Sequence, residues 1–254
     1  MGDASSGDWV QEKVTVDAAY GNEKVPMYLF VPKRSSPPYQ AVIYFPGSPS
    51  IDQMSSKDLD SYREFESHVS FIVKNGRAVL YPVYKGTFER RDDAIAAIYA
   101  GANSRQYTKY IIQVVQDFNR CVDYLETRPD IDRKRLAYVS FSWGSRIAPI
   151  VLAVNDRLRA SVMMVGGFRA WEHVRPEADE INYVTRVKVP TLMLNGRYDT
   201  IYPLETTVKP MFEMLGTPAE QKRLKVYDTD HFVPQNELIK ESLAWLDRYL
   251  GPVR

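Results

Sequence analysis

The chain has 254 residues, 44% of them hydrophobic and 26% charged, and its 33 basic and 32 acidic side chains leave a net charge of +1. This size and balance describe one globular domain whose core needs no covalent staples. They argue against a nucleic-acid or membrane partner recruited by charge, and the single cysteine, Cys121, rules out a disulfide framework within the chain.

No apolar run approaches the length of a membrane span. The start, Met1-Gly2-Asp3-Ala4-Ser5-Ser6-Gly7, is small and polar and lacks a signal-peptide pattern. Residues 1–8 therefore read as an unstructured lead-in or an artificial boundary before a single domain over 9–254. A cytoplasmic location is the expectation, with the chain a piece of a larger multidomain protein and a homodimer as its other candidate partnership.

Val10, Val14 and Val16 alternate, as do Val25, Met27, Leu29 and Val31, with the turn Tyr20-Gly21-Asn22 between them. This predicts an antiparallel hairpin. Residues 41–45 are a continuous apolar run stopped by Pro46-Gly47, the pattern of a strand covered on both faces. Tyr62, Phe65, Val69 and Ile72 have helical spacing and end near Asn75-Gly76. Residues 78–81 are the next buried strand. The long, charged and aromatic segment 82–106 is expected to carry a short helix, and Ile111, Val114, Val115, Phe118, Val122 and Leu125 form a strong amphipathic stripe.

A strand over 135–139 then runs into Ser140-Phe141-Ser142-Trp143-Gly144, followed by a helix lined by Ile147, Ile150, Val151 and Val154. Further strands are predicted at 161–165, 191–194 and 225–227, with a closing helix carrying Ile239, Leu243, Leu246 and Leu250. Eight strands alternating with helices predict an α/β fold: a mostly parallel sheet with helices on both faces. Ligands of such sheets bind beyond the carboxyl ends of the strands.

Ser142 stands at the apex of a strand-turn-helix, where a serine hydroxyl projects out of the sheet and the helix N–H groups point back at it. The usual G-x-S-x-G reads S-x-S-x-G here, with Ser140 in place of the first glycine and Gly144 kept. An activated serine needs a base, and the base needs an orienting acid. Of the three histidines, His68 lies in a helix pattern and reads as a surface or helix residue, and His173 lies in a loop after the sixth strand. His231 follows the last strand at the catalytic edge. Asp199, past the strand end at Gly196, suits the acid. Asp228 and Asp230 are weaker candidates, too near His231 in sequence to approach it from a separate strand.

With Ser142, Asp199 and His231 in that order on strand ends, nearly the whole chain resembles the α/β-hydrolase superfamily. The Phe141-Ser142-Trp143-Gly144 elbow is similar to that of dienelactone-hydrolase-like and prolyl-oligopeptidase-like serine esterases. The resemblance implies Ser142 as nucleophile, His231 as general base and Asp199 as its orienting acid. It also implies an oxyanion hole from the N–H groups of Trp143 and Ser48, although Pro46 stands where the family often has histidine. No metal-ligand spacing, Walker loop or dinucleotide fingerprint is present, so neither metal nor cofactor is expected.

The interval 166–188 is too short for a large lid. Tyr84, Phe88 and Arg90 of the 82–106 insertion, with Trp171 and Tyr202, are candidate pocket residues, against the alternatives of core aromatics and a solvated Arg90-Arg91-Asp92-Asp93 cluster. The expected function is a serine carboxylesterase for small or medium esters, acyl-sugar and aryl esters included. A prolyl-oligopeptidase-like serine peptidase and a non-catalytic hydrolase-like binding or signalling module are the alternatives.

Overall fold

The structure, a computed structural model, describes residues 4–169 and 173–253. In chain order the strands are β1 (Ala4–Ser5), β2 (Trp9–Asp17), β3 (Lys24–Pro32), β4 (Tyr39–Phe45), β5 (Ala78–Pro82), β6 (Ile131–Phe141), β7 (Leu158–Met164), β8 (Thr191–Gly196) and β9 (Lys222–Tyr227). The helices are α1 (Pro49–Asp52), α2 (Arg63–His68), α3 (Ser70–Lys74), α4 (Asp92–Tyr99), α5 (Arg105–Thr127), α6 (Trp143–Ala153), α7 (Lys209–Met214) and α8 (Gln235–Leu250).

One sheet holds all the strands in the order β1-β2-β3-β5-β4-β6-β7-β8-β9. β3 pairs antiparallel with both β2 and β5, and every pairing from β5 to β9 is parallel. Strands β2 to β9 are the eight expected from the periodicity. β1 is a two-residue addition: Ala4 pairs with Gln11 and Ser5 with Val10. The lead-in expected to be unstructured is thus tied down over residues 4–8, where the Ser6 hydroxyl also accepts the Asp8 and Trp9 N–H groups. The cause is the free edge of β2, whose unpaired backbone groups attract a partner.

Alternate side chains of each strand feed two cores. Met27, Leu29, Ile43, Phe45, Leu80, Tyr138 and Met163 pack with Val114, Phe118 and Val122 of α5 and Ile147 and Val151 of α6. Phe30, Val42, Tyr44, Val79, Val139 and Val162 pack on the other face with Phe65, Ile72, Trp245 and Leu246 of α2, α3 and α8. The single helix expected through Tyr62, Phe65, Val69 and Ile72 is two short helices. They break at Val69 (φ −118°, ψ −46°). Phe65, Val69 and Ile72 stay fully buried across the break, so a hydrophobic pattern cannot register it.

The 82–106 insertion carries α4, as expected, and is anchored by a buried ionic network. Arg90 donates to Asp117 (2.6 Å), to the Val83 carbonyl (2.9 Å) and to the Tyr20 hydroxyl (2.7 Å). Asp117 also accepts from Tyr20 (2.7 Å) and from the Lys85 N–H (2.7 Å). Arg90 is therefore neither a pocket residue nor part of a solvated cluster, because it is spent joining the first hairpin to α5. Removing one partner of a buried pair strands the other charge. Asp117→Ala should lower stability by about 3–5 kcal/mol in urea titration, and a loss below about 1 kcal/mol, the worth of a surface pair, would refute a structural role for the network.

Candidate active site

β6 ends in a turn whose apex, Ser142, has φ 49° and ψ −106°. This conformation is costly for a non-glycine residue and persists only where its surroundings fix it. They do so on both sides. The Ser142 N–H bonds the Met164 carbonyl of β7 (2.9 Å), and the Gly144 N–H bonds the Pro46 carbonyl beyond β4 (3.2 Å). Gly144 must be glycine, since a Cβ there would lie 2.6 Å from the Phe45 carbonyl oxygen. Ser140 is accommodated where the usual motif has glycine because its hydroxyl finds a partner, Ser145 Oγ at 2.9 Å. Ser145 in turn reaches the Ser140 and Met164 carbonyls at 3.0 and 2.9 Å.

The three residues expected to act in catalysis meet at the carboxyl ends of the strands. His231 Nε2 lies 2.8 Å from Ser142 Oγ, and His231 Nδ1 lies 2.7 Å from Asp199 Oδ2. The other Asp199 oxygen accepts the N–H groups of Ile201 (2.8 Å) and Tyr202 (3.0 Å), which fixes the carboxylate. Gly196 allows the acid loop to approach the histidine loop, because a Cβ at this position would sit 1.8 Å from the Asp230 carbonyl oxygen. Asp228 is engaged elsewhere, with Arg197 at 2.6 Å. The N–H groups of Ser48 and Trp143 donate to no protein acceptor among the described residues, and both residues line the same cleft as Ser142. His173 is exposed, away from this cleft.

The cleft measures about 460 Å3 and has a largely aromatic and aliphatic wall that includes Tyr110, Trp143, Ile98 and Tyr202. Ile98 is the contribution of the 82–106 insertion. Of the five pocket residues suggested by the sequence, Tyr202 lines the cleft. Tyr84 instead stacks on Phe45 at 4.0 Å in the core, and Phe88 is buried between Tyr62 and Tyr81. Both face inward because the segment folds back over the sheet. Arg90 belongs to the Asp117 network, and Trp171 lies outside the described residues. Sequence reasoning missed Arg146, one turn beyond Ser142 and buried in the cleft wall, which donates to the Tyr107 hydroxyl at 3.0 Å and pairs with Glu180 at 3.5 Å.

It also missed Glu64. One oxygen of this buried carboxyl accepts both the Gly47 N–H (3.0 Å) and the Tyr44 O–H (2.8 Å). Gly47 immediately precedes Ser48, so Glu64 ties down the loop that carries the Ser48 N–H. Its signal in the sequence was hidden in a helix pattern that accounts only for apolar positions. Burial pushes the Glu64 carboxyl up to about 7, and its two hydrogen bonds oppose that rise. His68 lies at the end of α2, half-buried: it stacks on Phe141 with centroids 4.3 Å apart, and desolvation depresses its imidazolium to about 4.

The strand order, the elbow and the helices on both faces define an α/β-hydrolase fold with a Ser-His-Asp constellation. Residues 99–252, more than half of the chain, match the model of the PET hydrolase-like family, PETase, and the chain belongs to that family. Cutinase 2 of Thermobifida cellulosilytica is 27% identical over 146 residues, which cover 53% of this chain and 51% of the relative. Cutinase cut1 of Thermobifida fusca is 27% identical over 146 residues, covering 53% and 42%. The chain thus spans about half the length of the curated relatives it matches. Among solved structures, a PEG-bound cold-adapted esterase from an Arctic intertidal metagenomic library superposes with a TM-score of 0.73 at 19% identity, covering 98% of this chain and 97% of the other. Acetyl xylan esterase from Paenibacillus sp. R4 gives 0.72 at 18% identity, covering 98% and 87%. At these identities the two structural likenesses are likenesses of fold.

The raised Glu64 value makes stability depend on pH. The folded chain holds this proton up to about 7, whereas the unfolded chain releases it near 4.5, the ordinary value for the group. The wild type therefore loses stability, relative to Glu64→Gln, as pH rises from about 4.5 to about 7, and the difference then levels off. Its size should be on the order of 3 kcal/mol, read as a growing melting-temperature gap between the two proteins. A gap that does not vary with pH would refute the assignment.

Proposed function

We propose that the protein is a serine carboxylesterase that hydrolyses small or medium carboxylic esters through an acyl-enzyme on Ser142. The observation that carries this reading is the unbroken chain from Ser142 Oγ to His231 Nε2 at 2.8 Å and from His231 Nδ1 to Asp199 at 2.7 Å, on the floor of an apolar cleft. Membership of the PET hydrolase-like family and the cutinase relatives support the same chemistry.

In the first half-reaction His231 Nε2 takes the Ser142 proton as Oγ attacks the ester carbonyl. The carbonyl oxygen becomes an oxyanion against the N–H groups of Ser48 and Trp143. Collapse of the tetrahedral adduct breaks the bond to the alcohol oxygen, which leaves with the proton held on His231. In the second half-reaction water gives a proton to His231 and attacks the acyl carbon. The acid departs as Ser142 regains its proton. Asp199 keeps the Nδ1–H tautomer and balances the imidazolium that forms twice per cycle.

The test is steady-state and burst-phase hydrolysis of p-nitrophenyl acetate and butyrate, with peptide anilides alongside. Ser142→Ala should lower kcat by several orders of magnitude without shifting the melting temperature by more than a few degrees. Wild-type and mutant rates that coincide would refute the reading, and turnover of anilides alone would turn it to a peptidase. Glu64→Ala frees the Ser48 loop and should reduce kcat about tenfold to a hundredfold with little change in KM, as expected for a donor used mainly in the transition state. A change confined to KM would refute that role for Glu64.

A further inference from the structure

A second cleft of about 670 Å3 adjoins the first across Pro49, Phe141 and His231, which line both. Ser48, Ser142 and Trp143 line only the first. An ester with its carbonyl at Ser142 and its carbonyl oxygen on the two N–H groups must put its alcohol oxygen beside His231 Nε2, the atom that protonates it. From that point the second cleft, beyond His231, offers room for the rest of the alcohol, and the first, lined by Ser48, Ser142 and Trp143, for the acyl part.

Two polar groups that line it, Glu64 buried and His68 half-buried, have hydrogen-bonding capacity to spare. Glu64 is 6% exposed and lines the cleft, and both of its hydrogen bonds fall on Oε1. Its Oε2 has no protein partner among the described residues. His68 Nδ1 lies 3.5 Å from the Tyr44 hydroxyl. With the Tyr44 proton directed at Glu64, the contact between Tyr44 and His68 is favourable only for the Nδ1–H tautomer, which would leave Nε2 as an acceptor. No described residue bonds Nε2. Phe141 and Tyr62 give the cleft ring surfaces, and Gln235 stands at its rim.

The chemistry of these groups selects the occupant. With Glu64 pushed up to about 7 and His68 held down to about 4, both are largely uncharged near pH 6. A hydroxyl both donates and accepts, so it suits Glu64 Oε2 in either protonation state and also satisfies His68 Nε2. A carboxylate would set acceptor against acceptor at His68. An ammonium group would meet the like charge of Arg63 at the cleft wall. Two such groups on one turn of α2, Glu64 and His68, suit an occupant with more than one hydroxyl.

We infer that the second cleft is the site for the alcohol half of the ester and takes a polyhydroxylated alcohol, such as a sugar or glycerol unit, held by Glu64 and His68. The inference rests on the esterase reading above. It carries a corollary from microscopic reversibility: a site that holds the departing alcohol also holds an incoming one. A polyol hydroxyl in the cleft gives its proton to His231 and forms a bond to the acyl carbon. The Ser142 Oγ bond breaks, and His231 returns the proton to Oγ. The products are a polyol ester and free enzyme.

The experiment compares kcat/KM for ethyl acetate, glycerol monoacetate and xylose monoacetate, which share one acyl group. It is run on wild type and on His68→Phe, which keeps the ring against Phe141 but removes both nitrogens. The wild type should prefer the polyol esters by about tenfold or more, the worth of one buried hydrogen bond. In His68→Phe the preference for the polyol esters over ethyl acetate should collapse. The fraction of acyl groups captured by added glycerol instead of water should fall in parallel. Equal rates on the three esters, or a preference that His68→Phe leaves intact, would overturn the inference. If wild type turns over none of them yet hydrolyses p-nitrophenyl acetate, the inference is overturned; if it hydrolyses neither, the esterase reading fails and binding decides the cleft. Saturation-transfer NMR from the Ser142→Ala protein to free xylose or glycerol, lost on adding His68→Phe, would support it, and no transfer would overturn it.

Discussion

The closeness of two backbone turns, the one after β6 and the one after β4, underlies everything else in this fold. Gly144 packs its Cα against the Phe45 carbonyl, and its N–H bonds the Pro46 carbonyl at 3.2 Å. That contact holds Ser142 at φ 49°, a conformation that an isolated chain would leave. It also sets the N–H groups of Ser48 and Trp143, one from each turn, at a fixed separation. The proposed nucleophile and its proposed charge-stabilising groups are therefore one mechanical unit, and the central parallel strands β4 and β6 are its frame.

Around that unit the buried polar side chains serve two ends. Asp199 accepts two backbone N–H groups while facing His231, so its position is set by its own loop before any proton moves. Glu64 does the same for the Ser48 loop, accepting one backbone N–H and one tyrosine hydroxyl. Both carboxyls are preorganised by donors they bind permanently, which spares the site reorganisation as charge develops. Arg90 and Asp117 instead form a buried pair that joins distant segments and takes no part in the cleft.

The two clefts suit the two ends of an ester. One runs along α6 from Ser142 and is mainly aromatic and aliphatic, with Arg146 in its wall. The other lies against α2, beyond His231, with a carboxyl and an imidazole at its inner wall. Their meeting point is the Phe141–His231 contact, centroids 5.7 Å apart. The residue proposed to exchange protons with the leaving group thus stands at the border between them.

The alternation of strands and helices, the eight main strands, the elbow at Ser142 and the order of the acid and histidine were all legible in the sequence. These are local properties: strand period, helix period, turn residues and position relative to a strand end all act over a few neighbours. Other features took shape only on folding. Tyr84 and Phe88 became core and Arg90 a buried ion-pair partner, although the sequence allowed all three to face a ligand, because the 82–106 segment folds back onto the sheet. The break at Val69 leaves the apolar pattern around it intact, and the two-residue pairing of Ala4–Ser5 is too short to carry a strand period. Glu64, His68 and Arg146 lie in helices whose apolar spacing says nothing of their polar positions. Glu64 meets Gly47 across 17 residues and Tyr20 meets Asp117 across 97, and contacts at such separations exist only once the sheet has fixed which strands are neighbours.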